Sequence, residues 1–135
     1  MHFELPYRAD HGFDALYGLT VEAVSELEAA GSVVVSDQHK QPAGLVHGGV
    51  YASIAESLAS LATALAVLPD GNQAMGLSNQ TSFLRPITAG TIHARALRKH
   101  RGRSTWVWEV EFTDEEGRLC VLTRMTIAVR EAQLP

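Results

Sequence analysis

Residues 44–68 read GLVHGGVYASIAESLASLATALAVL, and this stretch decides the fold. It opens on glycines and a histidine, then continues as apolar and small residues with a single charge, Glu56. Pro69-Asp70-Gly71-Asn72 follows, a cluster of turn formers that ends a helix. The spacing predicts one long helix starting near Val46 or His47 and stopping at Leu68. Its length matches a membrane span. However, His47, two glycines, Glu56 and the hydroxyls of Ser53, Ser57, Ser60 and Thr63 assign it to a protein interior, with no basic cluster close by. A helix apolar on all sides is also what a sheet produces when it wraps around one.

Outward from the helix the chain reads as strands. Phe13–Gly18 predicts a short helical turn closed by glycine. Leu19–Leu27 and Ser32–Ser36 (SVVVS, after Gly31) predict a hairpin of two strands, and the polar stretch from Asp37 to Gly44 predicts a loop. After the helix come Ala74–Leu84, Thr91–Lys99, Ser104–Thr113 and Leu119–Val129. Arg85-Pro86 interrupts the first pair and Asp114-Glu-Glu-Gly117 is a hairpin turn. Ser104–Thr113 (STWVWEVEFT) alternates most clearly, setting Trp106, Trp108, Val110 and Phe112 on one face. Strand, strand, helix, four strands predicts an α+β layering, one antiparallel sheet curled around one helix. No repeat, linker or low-complexity segment divides the chain, so residues 1–135 form a single domain.

Composition narrows the functional classes. With 135 residues, 46% of them hydrophobic and 19% charged, the chain can bury a real core. A formal charge of -4 excludes a general pull toward nucleic acid or anionic membrane. The lone Cys120 allows no internal disulfide and no cysteine metal site, and the six histidines lack paired ligand spacing. Neither a metal nor a cofactor is expected. The N-terminus MHFELPYRAD lacks the layout of a signal peptide, which points to a cytoplasmic protein.

The chemistry gathers on the helix. Gly48 and Gly49 sit at its start, where the first amides lack internal partners and carry the positive end of the dipole. Glycine there admits a carbonyl oxygen that becomes an oxyanion, or serves only the backbone's shape. Glu56 in an apolar run reads as a costly desolvated carboxylate, either a general base or nucleophile or a buried group satisfied by hydroxyls or an arginine. Ser60, four residues on, is placed to bond Glu56 or a water, or simply to pack. His47 orients a ligand or caps the loop. Gly48 and Glu56 are eight residues apart, about 12 Å along one helix. One carbonyl cannot meet both in one subunit, so a site using both lies between two antiparallel helices of a dimer. A second feature is basic: Arg95, Arg98, Lys99, His100, Arg101 and Arg103 fall together, as phosphate ligands or as a solvated hairpin tip.

At these residues the sequence resembles the hotdog-fold acyl-CoA thioesterases, in the 4-hydroxybenzoyl-CoA thioesterase-like branch that keeps its catalytic carboxylate on the central helix. Gln41, GLVHGGVY (44–51) and AES (55–57) carry the resemblance, with SNQTSFLRP (78–86), STWVWEV (104–110) and GRLCVLTRMTIAVR (117–130). The resemblance implies a six-stranded antiparallel sheet around the helix and homodimers pairing into homotetramers. It implies Glu56 as nucleophile or general base, the Gly48 amide as carbonyl polariser with Gln41 beside it, His47 positioning the thioester, and Ser60 assisting the hydrolytic water. It also implies that Arg85, Ser104 and Thr105 contact the CoA nucleotide; Arg101 and Arg103 are added from charge alone. Pro42-Ala43 and the tail REAQLP depart from the family's pattern. The expected activity is hydrolysis of an acyl-CoA, with an aromatic acyl group such as hydroxybenzoyl or phenylacetyl. The alternatives are a proofreading thioesterase on carrier-protein thioesters and a non-catalytic acyl-CoA-binding module.

Overall fold

The computed structural model of the chain describes residues 10–132, so nearly all of MHFELPYRAD and the last three residues of the tail lie outside the described residues. Helix α1 (Phe13–Tyr17) is followed by strands β1 (Thr20–Val24) and β2 (Glu28–Val34). Helix α2 (Gly48–Val67) precedes β3 (Asn72–Phe83), β4 (Thr91–Arg101), β5 (Thr105–Thr113) and β6 (Leu119–Glu131). The six strands form one sheet in the order β1-β2-β4-β5-β6-β3, antiparallel throughout. This is the predicted hotdog fold.

Period-two patterning builds the layer. β5 turns Trp106, Trp108, Val110 and Phe112 inward, and register sets Trp108 beside Met125, Val110 beside Thr123 and Phe112 beside Val121. Against this surface α2 buries Tyr51, Ile54, Ala55, Leu58, Ala59 and Ala62. Each large apolar side chain so buried contributes about 1.5–3 kcal/mol. Helix α2 with its following 3-10 turn, Gly48–Asp70, has the length and composition of a membrane span. Here the buried side of that helix packs on the sheet.

One polar link crosses the core. The Trp108 indole N–H donates to Thr63 Oγ1 at 2.9 Å, and that hydroxyl donates to the Ala59 carbonyl at 2.8 Å. Thr63→Val keeps the shape but leaves the indole N–H without an acceptor. It should cost about 1–3 kcal/mol in urea unfolding; a neutral result would show that the bond is dispensable.

Two expectations need correction. The first hairpin turns at Ser25–Leu27, where Ser25 Oγ accepts from the Leu27 and Glu28 amides, and β2 therefore starts before Gly31. Gly31 lies inside the strand, and glycine suits it there because a Cβ would approach the Thr20 carbonyl oxygen to 2.9 Å. Second, the sheet covers only one side of α2. Gly49 and Glu56 are exposed and Ser53 and Ser60 half-buried along a second stripe. Beside it runs β3, an outer strand with one edge unpaired in this chain and with Met75, Leu77 and Phe83 exposed.

Candidate active site

The loop leading into α2 is held at many points. His39, buried, accepts the Ser36 N–H on Nδ1 at 2.9 Å, so its Nε2 carries the hydrogen donated to the Tyr17 carbonyl at 2.7 Å. The His39 carbonyl accepts the His47 N–H at 2.8 Å, and the Ile87 carbonyl accepts the Val46 N–H at 2.9 Å. Gly44 turns the loop at φ 90, a left-handed value suited to glycine. Gln41 Oε1 accepts the Ala43 N–H at 2.6 Å. That bond fixes which end of the carboxamide is which, and leaves the NH2 group to donate elsewhere.

His47 is the N-cap of α2. Its Nδ1 accepts the Gly49 N–H at 2.8 Å and its carbonyl accepts the Val50 N–H at 3.0 Å. The Gly48 N–H meets no acceptor among the described residues, at the positive end of a 20-residue helix. A Cβ on Gly48 would lie 2.5 Å from Phe83 Cζ, so any larger residue there would displace the Phe83 ring from the helix start.

Gln41 and Gly48 share one cavity of about 420 Å³, also lined by Tyr51, Phe83, Arg85 and Val121. Burial, foremost, pushes the Tyr51 phenol up to about 12, so it stays protonated at neutral pH. The Cys120 carbonyl accepts both the Leu84 and Arg85 amides, at 2.8 and 2.9 Å, and so fixes where Arg85 leaves β3.

Glu56 stands elsewhere. It is exposed in the single chain, which corrects the expectation of a desolvated carboxylate: the sheet that would bury it covers only the other side of the helix. Its carboxylate rests on β3, where a Cβ on Gly76 would lie 3.0 Å from Oε1. Ser60 shares its stripe but makes no hydrogen bond to it among the described residues. Glu56 does not line the Gln41–Gly48 cavity. Strand β3 marks the separation, with Phe83 against Gly48 at one end and Gly76 against Glu56 toward the other.

The basic cluster is dispersed. Arg95 pairs with Glu28 at 2.8 Å, Lys99 with Glu109 at 3.7 Å and Arg101 with Glu26 at 3.4 Å. Arg98 and Arg101 also lie over the Trp106 ring, 4.9 and 5.0 Å from its centre. Exposed pairs of this kind contribute little stability, but they occupy most of the cluster's charge. Arg103 is exposed and has no ion pair among the described residues. The Ser104 carbonyl accepts from Arg130 Nη1 at 2.8 Å, and Thr105 sits half-buried in β5. Thr105 pairs with Ala128 near the start of β3, whereas Phe83 pairs with Val121 at its end. Within one chain, Arg103, Ser104 and Thr105 are therefore at the opposite end of the sheet from Gln41 and Gly48. Arg85 alone joins the cavity. Tyr51 and Phe83, which also line the cavity, were not singled out from sequence beyond their place in the quoted motifs.

Residues 43–121 match the family model described as the thioesterase superfamily. A 1,4-dihydroxy-2-naphthoyl-CoA hydrolase of Listeria monocytogenes is 35% identical, across 89% of this chain and 97% of that protein. Among solved structures, a thioesterase of Haemophilus influenzae is 34% identical with a TM-score of 0.79, covering 85% of this chain and 80% of that one. A mutant thioesterase of Pseudomonas aeruginosa is 32% identical with a TM-score of 0.82, covering 87% and 84%.

Proposed function

The chain belongs to the thioesterase superfamily and is a thioester hydrolase, and from that premise we propose that it hydrolyses coenzyme A thioesters of aromatic acids, 4-hydroxybenzoyl-CoA among them. The observation that carries this reading is the convergence of the Gln41 carboxamide and the unpaired Gly48 amide on one largely apolar cavity. The thioester carbonyl oxygen accepts from both donors. Charge developing on it is stabilised by the helix terminus, with donors about 3 Å away. His47 acts by capping α2, which holds the Gly48 amide in place. Glu56 either takes a proton from a water that attacks the carbonyl carbon or attacks that carbon itself. The C–S bond then breaks and the CoA thiolate leaves; where Glu56 itself has attacked, water hydrolyses the mixed anhydride and frees the acid and the carboxylate. Ser60, one turn beyond Glu56, helps hold the water.

In this reading the carboxylate comes from a second copy. A two-fold axis near Asn79 or Gln80 would join β3 edges antiparallel and set Gly76 opposite residue 82 or 84 of the other copy. Glu56 rests on Gly76 and Gly48 on Phe83, so each Glu56 would approach the partner's Gly48. The exposed Met75, Leu77 and Phe83 would be covered. Two such dimers pairing would give the homotetramer, which sedimentation measures. The same arrangement brings Arg103, Ser104 and Thr105 of one copy toward the cavity of the other, as nucleotide contacts beside Arg85. Arg101, held by Glu26, is the weaker candidate.

The test is a thiol-release screen over benzoyl-, 4-hydroxybenzoyl-, phenylacetyl-, acetyl- and carrier-linked thioesters. Aryl-CoA substrates should have the highest kcat/KM. Cleavage of carrier-linked thioesters alone would overturn the substrate assignment. Arg85→Ala should raise KM for CoA thioesters about tenfold or more with a smaller change in kcat, as expected for one lost charge-assisted contact of about 1.5–3 kcal/mol. Pantetheine thioesters, which lack the nucleotide, should be nearly unaffected; equal losses on both would remove Arg85 from the nucleotide site.

A further inference from the structure

Two cavities flank the head of α2. The first holds Gln41 and Gly48, and its closed side is formed by Val46, Tyr51 and Val121, all buried. The second, about 300 Å³, lies on the other side, lined by Phe13, Tyr17, Gln38, His39, His47 and Ser53 among others. A thioester whose carbonyl sits on Gln41 and Gly48 must send its acyl group one way and its pantetheine arm the other.

Resting on the thioesterase reading above, we infer that the acyl group occupies the first cavity and that Tyr51 is its end wall, setting the size of acyl group the enzyme accepts. The acyl substituent and the thioester sulfur both start at the carbonyl carbon, so what each has to reach decides which takes the closed side of the cavity. The pantetheine arm has to reach solvent, and the exposed Arg85 marks that side. The closed apolar side is left for the acyl group. Tyr51 stands three residues after Gly48, on the same side of the helix. Its ring meets Phe112 edge-on with centres 5.4 Å apart, and lies tilted to Phe83 at 6.2 Å. Only 3% exposed, it has no room to swing out of the way. Phe83 and Tyr51, whose rings touch, therefore form one continuous aromatic side of the slot against which the acyl group packs. Tyr51 is a specificity-determining residue in this scheme, with no proton or bond to make or break.

The experiment compares kcat/KM for benzoyl-CoA and 2-naphthoyl-CoA in variants whose folding is checked by circular dichroism and thermal melting. Tyr51→Leu, which deepens the slot, should raise the naphthoyl-to-benzoyl ratio about tenfold or more, the range expected when a hydrophobic pocket gains or loses such volume. Tyr51→Phe should leave the ratio near its wild-type value. Tyr51→Trp should lower it, and should that variant not fold, the Leu and Phe pair still decides. Tyr17→Leu, in the second cavity, should leave the ratio alone. A folded Tyr51→Leu enzyme with an unchanged ratio would overturn the assignment, as would a ratio that moves with Tyr17→Leu instead. If the wild type cleaves neither thioester, it is the proposed function that fails.

Discussion

Glu56→Gln should lower kcat by about 10²–10⁴-fold, the span of a lost general base, while KM and stability hardly move. The substitution preserves shape and hydrogen-bonding volume but removes the charge that activates water or attacks carbon. Stability should change by no more than about 0.5 kcal/mol, because the substitution is isosteric and removes no ion pair or hydrogen bond within the chain. Glu56 is exposed in the chain and makes no ion pair or hydrogen bond among the described residues. Glu56→Asp should be nearly as poor, because a carboxylate withdrawn by one methylene misses the reacting carbon. Steady-state kinetics beside urea unfolding decides the matter. A Gln variant that keeps most of its kcat would remove Glu56 from the chemistry, and one that loses activity by unfolding would make its role structural.

That Glu56 is out of place was legible in the sequence; the reason was not. A charge in an apolar helix reads as burial, and the chain instead leaves that stripe of α2 open. Periodicity reports which residues avoid water, not whether the surface that hides them belongs to the same chain. The strands were legible where alternation is strict, as in Trp106–Phe112, and the three glycines around His47 announced the helix start. The turn at Ser25–Leu27 was not, because a serine side chain replaces the usual glycine by accepting two amides. How the basic cluster is paired was not legible for a related reason. Its neighbours in sequence alternate between the faces of β4, and its partners Glu26 and Glu28 come from a distant hairpin. Gln41 and Gly48, both quoted from the motif, line one cavity. Tyr51 did not stand out, since an aromatic residue at a helical core position carries no mark that one of its faces borders a cavity.

Two inactive chains should restore one another. Gln41→Ala removes a donor from the carbonyl oxygen, a loss of about 10²–10³ in kcat, and Glu56→Gln removes the carboxylate. If each site takes Gln41 and Gly48 from one copy and Glu56 from the other, a mixed dimer has one site carrying both defects and one carrying neither. Mixed dimers isolated through two different affinity tags should then show about half the wild-type kcat per dimer, far above either parent. The physical reason is the length of α2: Gly48 and Glu56 are about 12 Å apart along the helix, and no proline falls within Gly48–Val67 to bend them together. Reach does not close the gap either, because a glutamate side chain spans less than half of that distance even when it leans toward the helix N-terminus, as helical side chains do. Mixed dimers that form in full yield yet stay inactive would put the whole site within one chain. The exposed Glu56 stripe and the open edge of β3 would then need another partner.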